Sequence, residues 1–249
     1  MTTLDWHGTG ISARGPVAGV AAQLLLLAAL GSGAGLRPVG WLAGTAYAVI
    51  LAAILTGALL RSRARSLGPA GLVTLARAEL VGGVTALVAM DLLGAHAPAA
   101  FVVALAAVAL VLDGVDGHVA RRTGTVSALG ARFDMEVDAF LILVLSVFVA
   151  RSAGPWVLAI GLMRYAFVAA GRLAPWLRAP LPPSFARKTV AASQGVILVV
   201  VAAGVAAPPV AAGLAGLALG LLAWSFGRDT GWLWRHRRTP ARPPIPALT

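Results

Sequence analysis

Apolar residues fill this 249-residue chain in blocks, and the polar ones collect between the blocks. Nearly uninterrupted apolar runs fall at about 16–35, 39–60, 70–93, 97–116, 131–150, 154–172, 188–207 and 209–227. Each approaches the ~20 residues that an α-helix needs to cross a hydrocarbon layer. Period-2 alternation of the barrel-strand type is absent, and strands in lipid must close into a barrel. The pattern predicts an all-α integral membrane protein with about eight transmembrane helices.

Composition agrees. The chain is 59% hydrophobic and only 12% charged, with a mean hydropathy of +0.87, more apolar surface than a soluble domain can bury. Cysteine is absent, which excludes disulfides, thiol nucleophiles and thiolate metal sites. Any metal must take oxygen or nitrogen ligands.

A formal charge of +11 would ordinarily raise nucleic-acid binding, but the basic residues sit in short connections and the C-terminal tail. Arg61, Arg63 and Arg65 follow the second run, and Arg121, Arg122 and Arg132 surround the connection after the fourth. Arg172, Arg178, Arg187 and Lys188 flank the connection after the sixth; Arg228, Arg235, Arg237, Arg238 and Arg242 follow the eighth. All four clusters fall on one side, and the other has only Arg37 and Arg151 near span ends. The positive-inside rule accounts for this without nucleic acid and puts both termini in the cytoplasm. The first run also admits a signal-peptide reading, although Asp5 lies in its n-region and the run is long.

Residues 61–69 (RSRARSLGP) form the one convincing internal boundary. They divide the chain into a tail and two accessory helices (1–65), a six-helix unit (66–230) and a basic, proline-rich tail (231–249). Residues 1–15 and 239–249 read as disordered. Prolines 175, 180, 182 and 183 interrupt helix in segment 173–187, which reads as an ordered or surface-lying connection. Trp156, Trp232 and Trp234 read as interfacial aromatic belts.

Against this background the stretch DGVDGHVARRTGTVSALGARFDMEVD, residues 113–138, stands apart: it holds five of the chain's nine acidic residues. Carboxylates in an apolar helix are costly and point to function. Asp113 and Asp116 are spaced i,i+3 and Asp134 and Asp138 i,i+4, so each pair shares one helical face. Four carboxylates converging at a low-dielectric boundary repel one another, and divalent cations relieve the repulsion. Hard oxygen donors favour Mg²⁺ or Mn²⁺, and Mg²⁺ characteristically bridges carboxylates and substrate phosphates.

Written out, Asp113-x2-Asp116-Gly117-x2-Ala120-Arg121-x8-Gly130-x3-Asp134-x3-Asp138 resembles the signature of the CDP-alcohol phosphotransferase family at all eight fixed positions. That family is built on six transmembrane helices, with the signature spanning the end of the second and the start of the third. The resemblance implies transfer of a phosphatidyl-type group from a CDP-linked lipid, usually CDP-diacylglycerol, to an alcohol, with release of CMP. It implies that Asp113, Asp116 and Asp134 hold one or two metal ions, with Asp138 beside them as general base for the acceptor alcohol. Gly117 and Ala120 would let the nucleotide approach the helix closely, Arg121 would contact its phosphates, and Gly130 would permit close packing where the next helix begins. In the third run GPAGLVTLAR resembles the family's stretch of Asn, Thr and Arg at three-residue steps; Thr74 and Arg77 match, and Gly71 stands where Asn is usual. Thr74 then reads as a nucleotide contact, and Arg77 reads equally as that or as a structural partner.

Arg164 lies ~12 Å deeper than Arg172 at ~1.5 Å per residue, too deep for loop topology to explain, and is expected to face the cavity. Phosphatidylglycerophosphate synthases carry a similar Arg followed by Glu, whereas Tyr165 follows here. Arg164, Arg172, Arg187 and Lys188 could converge on an anionic acceptor, which favours glycerol 3-phosphate or another phosphorylated polyol. Glu136 reads as a packing or headgroup residue, His118 as incidental, and Asp91 and His96 as solvated. Gly216 and Gly220 form a small-xxx-small pair, a cue for a homodimer. Two other readings remain: an intramembrane prenyltransferase, which also binds Mg²⁺ and a lipid diphosphate through aspartate-rich helices, and a cation or proton carrier. Nineteen arginines to one lysine fit GC-rich bacterial coding, hence an inner-membrane location.

Overall fold

The structure is a computed structural model that describes residues 14–62, 68–123 and 127–237. The side chains of Arg14, Pro69, residues 116–123 and Ala128 are also left undescribed. Eight α-helices make up nearly all of it: α1 (Arg14–Ala34), α2 (Pro38–Ser62), α3 (Pro69–Leu92), α4 (Ala99–Thr123), α5 (Ala128–Ala153), α6 (Leu158–Leu173), α7 (Phe185–Ala202) and α8 (Pro208–His236). Two single 3₁₀ turns, Pro155–Val157 and Pro175–Arg178, flank α6, and the described residues contain no strand. Each helix overlies one apolar run, and α8 continues past its run to His236. The expected disorder of both ends and most of the 61–69 boundary lie outside the described residues.

Local chemistry explains the ends. Pro opens α3 and α8, where its missing N–H is one of the donors a helix start leaves orphaned anyway. The Ser127 hydroxyl caps α5 by accepting from the Gly130 N–H at 3.0 Å, and Ser184 caps α7 by accepting from Arg187 N at 3.4 Å. The positive-φ glycines Gly35, Gly94, Gly154 and Gly204 lie in alternate connections, after α1, α3, α5 and α7. Those connections are tight turns at one end of the bundle. The basic and proline-rich connections all lie at the other.

Among the described residues six helices are long and apolar enough to cross a membrane: α1, α2, α3, the segment of α6 with its preceding turn, α7 and α8. In α4 the described part Ala99–Val115 is apolar up to Asp113. Asp134, Glu136 and Asp138 interrupt α5 in the same way. The acids of the aspartate-rich stretch thus sit at the end of α4 and in the first half of α5.

Helix α3 is the axle of the fold. Of its apolar stretch 67% is buried against other helices, against 17–33% in the other five spans. Lipid tails are as apolar as leucine, so helices associate through close packing rather than exclusion from water. Small residues supply that closeness here: a Cβ on Gly40 of α2 would lie 2.9 Å from the Ala86 carbonyl of α3, and one on Gly161 of α6 only 2.5 Å from Leu143 Cα of α5. Gly40, Gly44 and Ala48 repeat at i,i+4,i+8 along the buried face of α2. Ala78, Val81, Val84 and Leu87 of α3 meet Val102, Ala106 and Ala109 of α4 and Leu145 of α5 in the common core.

Candidate active site

Three helices bring carboxylates and one guanidinium together at the end of the bundle where α3 and α5 begin and α4 finishes. The spacing of the aspartates dictates this. Asp134 and Asp138 stand one turn apart on α5, and Asp113 reaches them from α4. Each offers an oxygen, and the three oxygens lie within 4.8 Å of one another. Asp116 belongs to the same sequence motif, but its side chain lies outside the described residues, as do those of Gly117, His118, Ala120 and Arg121.

Arg77 of α3 occupies the middle. Its Nη1 lies 2.9 Å from Asp113 Oδ1 and donates to Asp134 Oδ1 at 2.6 Å, while its Nη2 donates to Asp138 Oδ1. Arg77 is 1% exposed, whereas the three carboxylates keep 34–43% of their side-chain surface open. The guanidinium is thus the buried floor and the carboxylates are the rim. Among the described residues three carboxylates face one guanidinium, and the donors the rim offers are hard oxygens. Both properties suit Mg²⁺ or Mn²⁺. Arg77 thus pairs with the acids of two other helices.

Thr74 lies one turn before Arg77, buried, and donates to the Ala70 carbonyl at 3.1 Å. Gly130 sits in the first turn of α5, where an added Cβ would press on the capping Ser127 Oγ at 3.0 Å.

The four basic residues expected around an acceptor are placed differently. Arg164 of α6 donates through Nη2 to Glu136 of α5, so Glu136 is an ion-pair partner rather than a packing or headgroup residue. The Arg164 Nε–H is buried and meets no acceptor among the described residues. Arg187 of α7 donates to Asp229 Oδ2 of α8 at 3.0 Å and to the Pro182 carbonyl at 2.8 Å. Arg228 joins the same carboxylate at 3.0 Å and the Ser184 hydroxyl at 3.1 Å. Arg172 and Lys188 are exposed. Arg164 and Arg187 therefore bind different carboxylates, and the second cluster holds two guanidiniums on one acid.

Asp229, Arg228 and Ser184 were missed by sequence reasoning. Asp229 is one of only nine acids and follows an apolar run directly, a signal that could have found it. The reading of Asp91 as solvated is overturned: it is 8% exposed, its carboxylate lies 3.2 Å from Arg151 Nε and accepts from Ala97 N at 3.3 Å. The turn after α3 folds the chain back over it. His96 is exposed, as expected.

No curated protein and no solved structure matches the chain. A family model, CDP-alcohol phosphatidyltransferase, matches residues 67–226, from the start of α3 into α8. The match covers well over half the chain and all three helices of the acidic cluster, and it selects the first of the readings left open by the sequence. This chain belongs to the CDP-alcohol phosphatidyltransferase family.

Proposed function

We propose that this protein transfers a phosphatidyl group from CDP-diacylglycerol to a phosphorylated polyol, with glycerol 3-phosphate the first candidate. Family membership supports phospholipid-type group transfer from a CDP-alcohol. The observation that carries a metal-dependent transfer is the meeting of Asp113, Asp134 and Asp138 within 4.8 Å at one rim. These residues, with Asp116, would hold one or two Mg²⁺ or Mn²⁺ ions. A divalent ion there supplies positive charge to the donor's diphosphate and to the departing CMP.

The chain's own residues do the rest. Small residues at 117 and 120 of the motif would leave room for the nucleotide, Arg121 is the motif's residue for its phosphates, and Thr74 stands on the facing helix. Asp138 accepts the proton of the acceptor hydroxyl as that oxygen attacks the β-phosphorus. The bond from the β-phosphorus to the bridging oxygen breaks, and CMP leaves with the electron pair. Arg77 fixes the carboxylates against one another from below.

A phosphorylated acceptor is favoured by two observations. The Arg187–Arg228–Asp229 cluster has one positive charge in excess, and the Arg164 Nε–H still lacks an acceptor. Either group could hold an acceptor phosphate. By the positive-inside rule the basic connections support a cytoplasm-facing site, where a lipid donor and a soluble polyol can meet, and the arginine-rich composition supports a bacterial inner membrane. The division at residue 65 assigns catalysis to α3–α8. The face of α8 at Gly216 and Gly220, where an added Cβ would meet nothing within 4 Å, is free for a second copy.

The deciding experiment offers purified protein CDP-diacylglycerol, Mn²⁺ and one alcohol at a time: glycerol 3-phosphate, inositol 1-phosphate, inositol or serine. CMP release is the readout. The expected result is release that requires divalent cation and is fastest with a phosphorylated acceptor; preference for an unphosphorylated alcohol overturns the acceptor assignment.

A further inference from the structure

The family match begins at residue 67, so α1 and α2 lie outside it. Two polar side chains in those helices are nevertheless directed at the helices that build the acidic rim. Gln23 of α1 is fully buried, and its carboxamide, turned with nitrogen toward α3, donates to the Glu79 carbonyl at 2.9 Å and to Glu79 Oε2 at 2.7 Å. Glu79 is itself 7% exposed. It follows Arg77 by two residues, about 200° around the helix, so the two charged groups of α3 point in nearly opposite directions. One engages the rim and the other engages α1.

Helix α2 reaches further. The Tyr47 ring stacks on Phe140 of α5, with centroids 5.5 Å apart and planes inclined by 24°. Phe140 is two residues beyond Asp138. The fit around the polar knot is tight: a Cβ on Gly82 of α3 would lie 2.5 Å from the Gln23 carboxamide and 2.7 Å from the Tyr47 ring, and one on Gly19 of α1 only 2.8 Å from Glu79 Oε1. The two glycines leave the space that the knot fills.

We propose that α1 and α2 are positioning elements of the active site: Gln23 sets the rotation of α3 through Glu79, and Tyr47 sets α5 through Phe140, so that Arg77 meets Asp134 and Asp138. A buried amide–carboxyl pair suits this role, because a small rotation of α3 would leave polar groups unpaired in an apolar interior, at a cost of about 1–3 kcal/mol each. Packing alone could slide; a hydrogen-bonded knot has one register. The inference rests on the proposed transfer reaction for its kinetic test only.

Two measurements test it. The chain has no cysteine, so Leu72→Cys on α3 and Met135→Cys on α5, both exposed positions, can carry spin labels for a pulsed electron–electron distance measurement. Gln23→Leu should shift or broaden the α3–α5 distance distribution, and the exchange Gln23→Glu with Glu79→Gln should restore it. In the CMP-release assay Gln23→Leu should lower kcat about tenfold or more with KM for CDP-diacylglycerol little changed, as misplacement of reacting groups does. The exchange variant should recover to within about threefold, because an amide again faces a carboxyl. An unchanged distance distribution in Gln23→Leu overturns the proposal, and so does full turnover in that variant. If Gln23→Leu does not fold, Tyr47→Leu, which keeps the bulk and loses the stack, is judged by the same two outcomes. Failure of the wild type to release CMP with any alcohol would count against the reaction, and the distance measurement would still decide the positioning role.

Discussion

Helices α3 and α5 are tied together by charge at both ends, and the two ties are built differently. At the far end Asp91 of α3 meets Arg151 of α5, one acid to one base, with the Asp91 backbone carbonyl also accepting from Arg151. At the site end the polarity is reversed, with Arg77 on α3 and the acids on α5, and a third acid arrives from α4. The far tie is complete in itself. Among the described residues the site tie sets three acids against one guanidinium. A one-to-one pair joins two helices; a three-to-one cluster joins them and also offers oxygens that suit a cation.

The comparison is broken most severely at Asp138. Asp138→Asn keeps the shape of the rim and one hydrogen bond to Arg77 while removing the base, and CMP release should fall by about 10²–10⁴-fold. A turnover within about tenfold of wild type removes Asp138 from that role. Arg77→Gln sharpens the comparison. It takes away the floor's positive charge, so turnover should drop about a hundredfold as the carboxylates lose their alignment. Mn²⁺ should bind the same variant more tightly, because the ion no longer shares its ligands with a guanidinium. Titration of Mn²⁺ by electron paramagnetic resonance reads the affinity directly, and weaker binding would refute the competition. The smallest effect belongs to the far tie. Arg151 is 40% exposed, so Asp91→Asn should cost on the order of 1 kcal/mol, a few degrees of melting temperature, with kcat within about twofold of wild type. A large loss of turnover there would mean that the two ends are not independent.

Much of the site was legible because it is encoded by local spacing. Asp113, Asp134 and Asp138 announce themselves as acids at helical intervals in an apolar setting, and the helix period alone predicts which of them share a face. Arg77 was half legible: its residue type and depth marked it, but its partners lie 36 to 61 positions away, and only packing selects between them. Asp91 was misread for the same reason, since nothing near it in sequence reveals that Arg151 ends its helix at the same level. Gln23 and Tyr47 left no signal at all. Each is a single polar group within an apolar run, where composition averages it away. Arg187 and Lys188 illustrate the converse, because basic residues at a span end have an ordinary topological explanation that conceals Arg187's bond to Asp229.

The acids that interrupt α5 and the end of α4 bear on how the chain reaches its membrane. An insertion machine that partitions one segment at a time favours α3, whose interior is richly apolar, and disfavours a helix with Asp134, Glu136 and Asp138 in its first half. Helix α5 therefore gains most from a neighbour that answers its charge. Arg77 of α3 pairs with Asp134 and Asp138 and so offsets part of the cost of placing them in an apolar bundle. Synthesis from the N-terminus makes α3 before α5, so the guanidinium precedes the acids it meets.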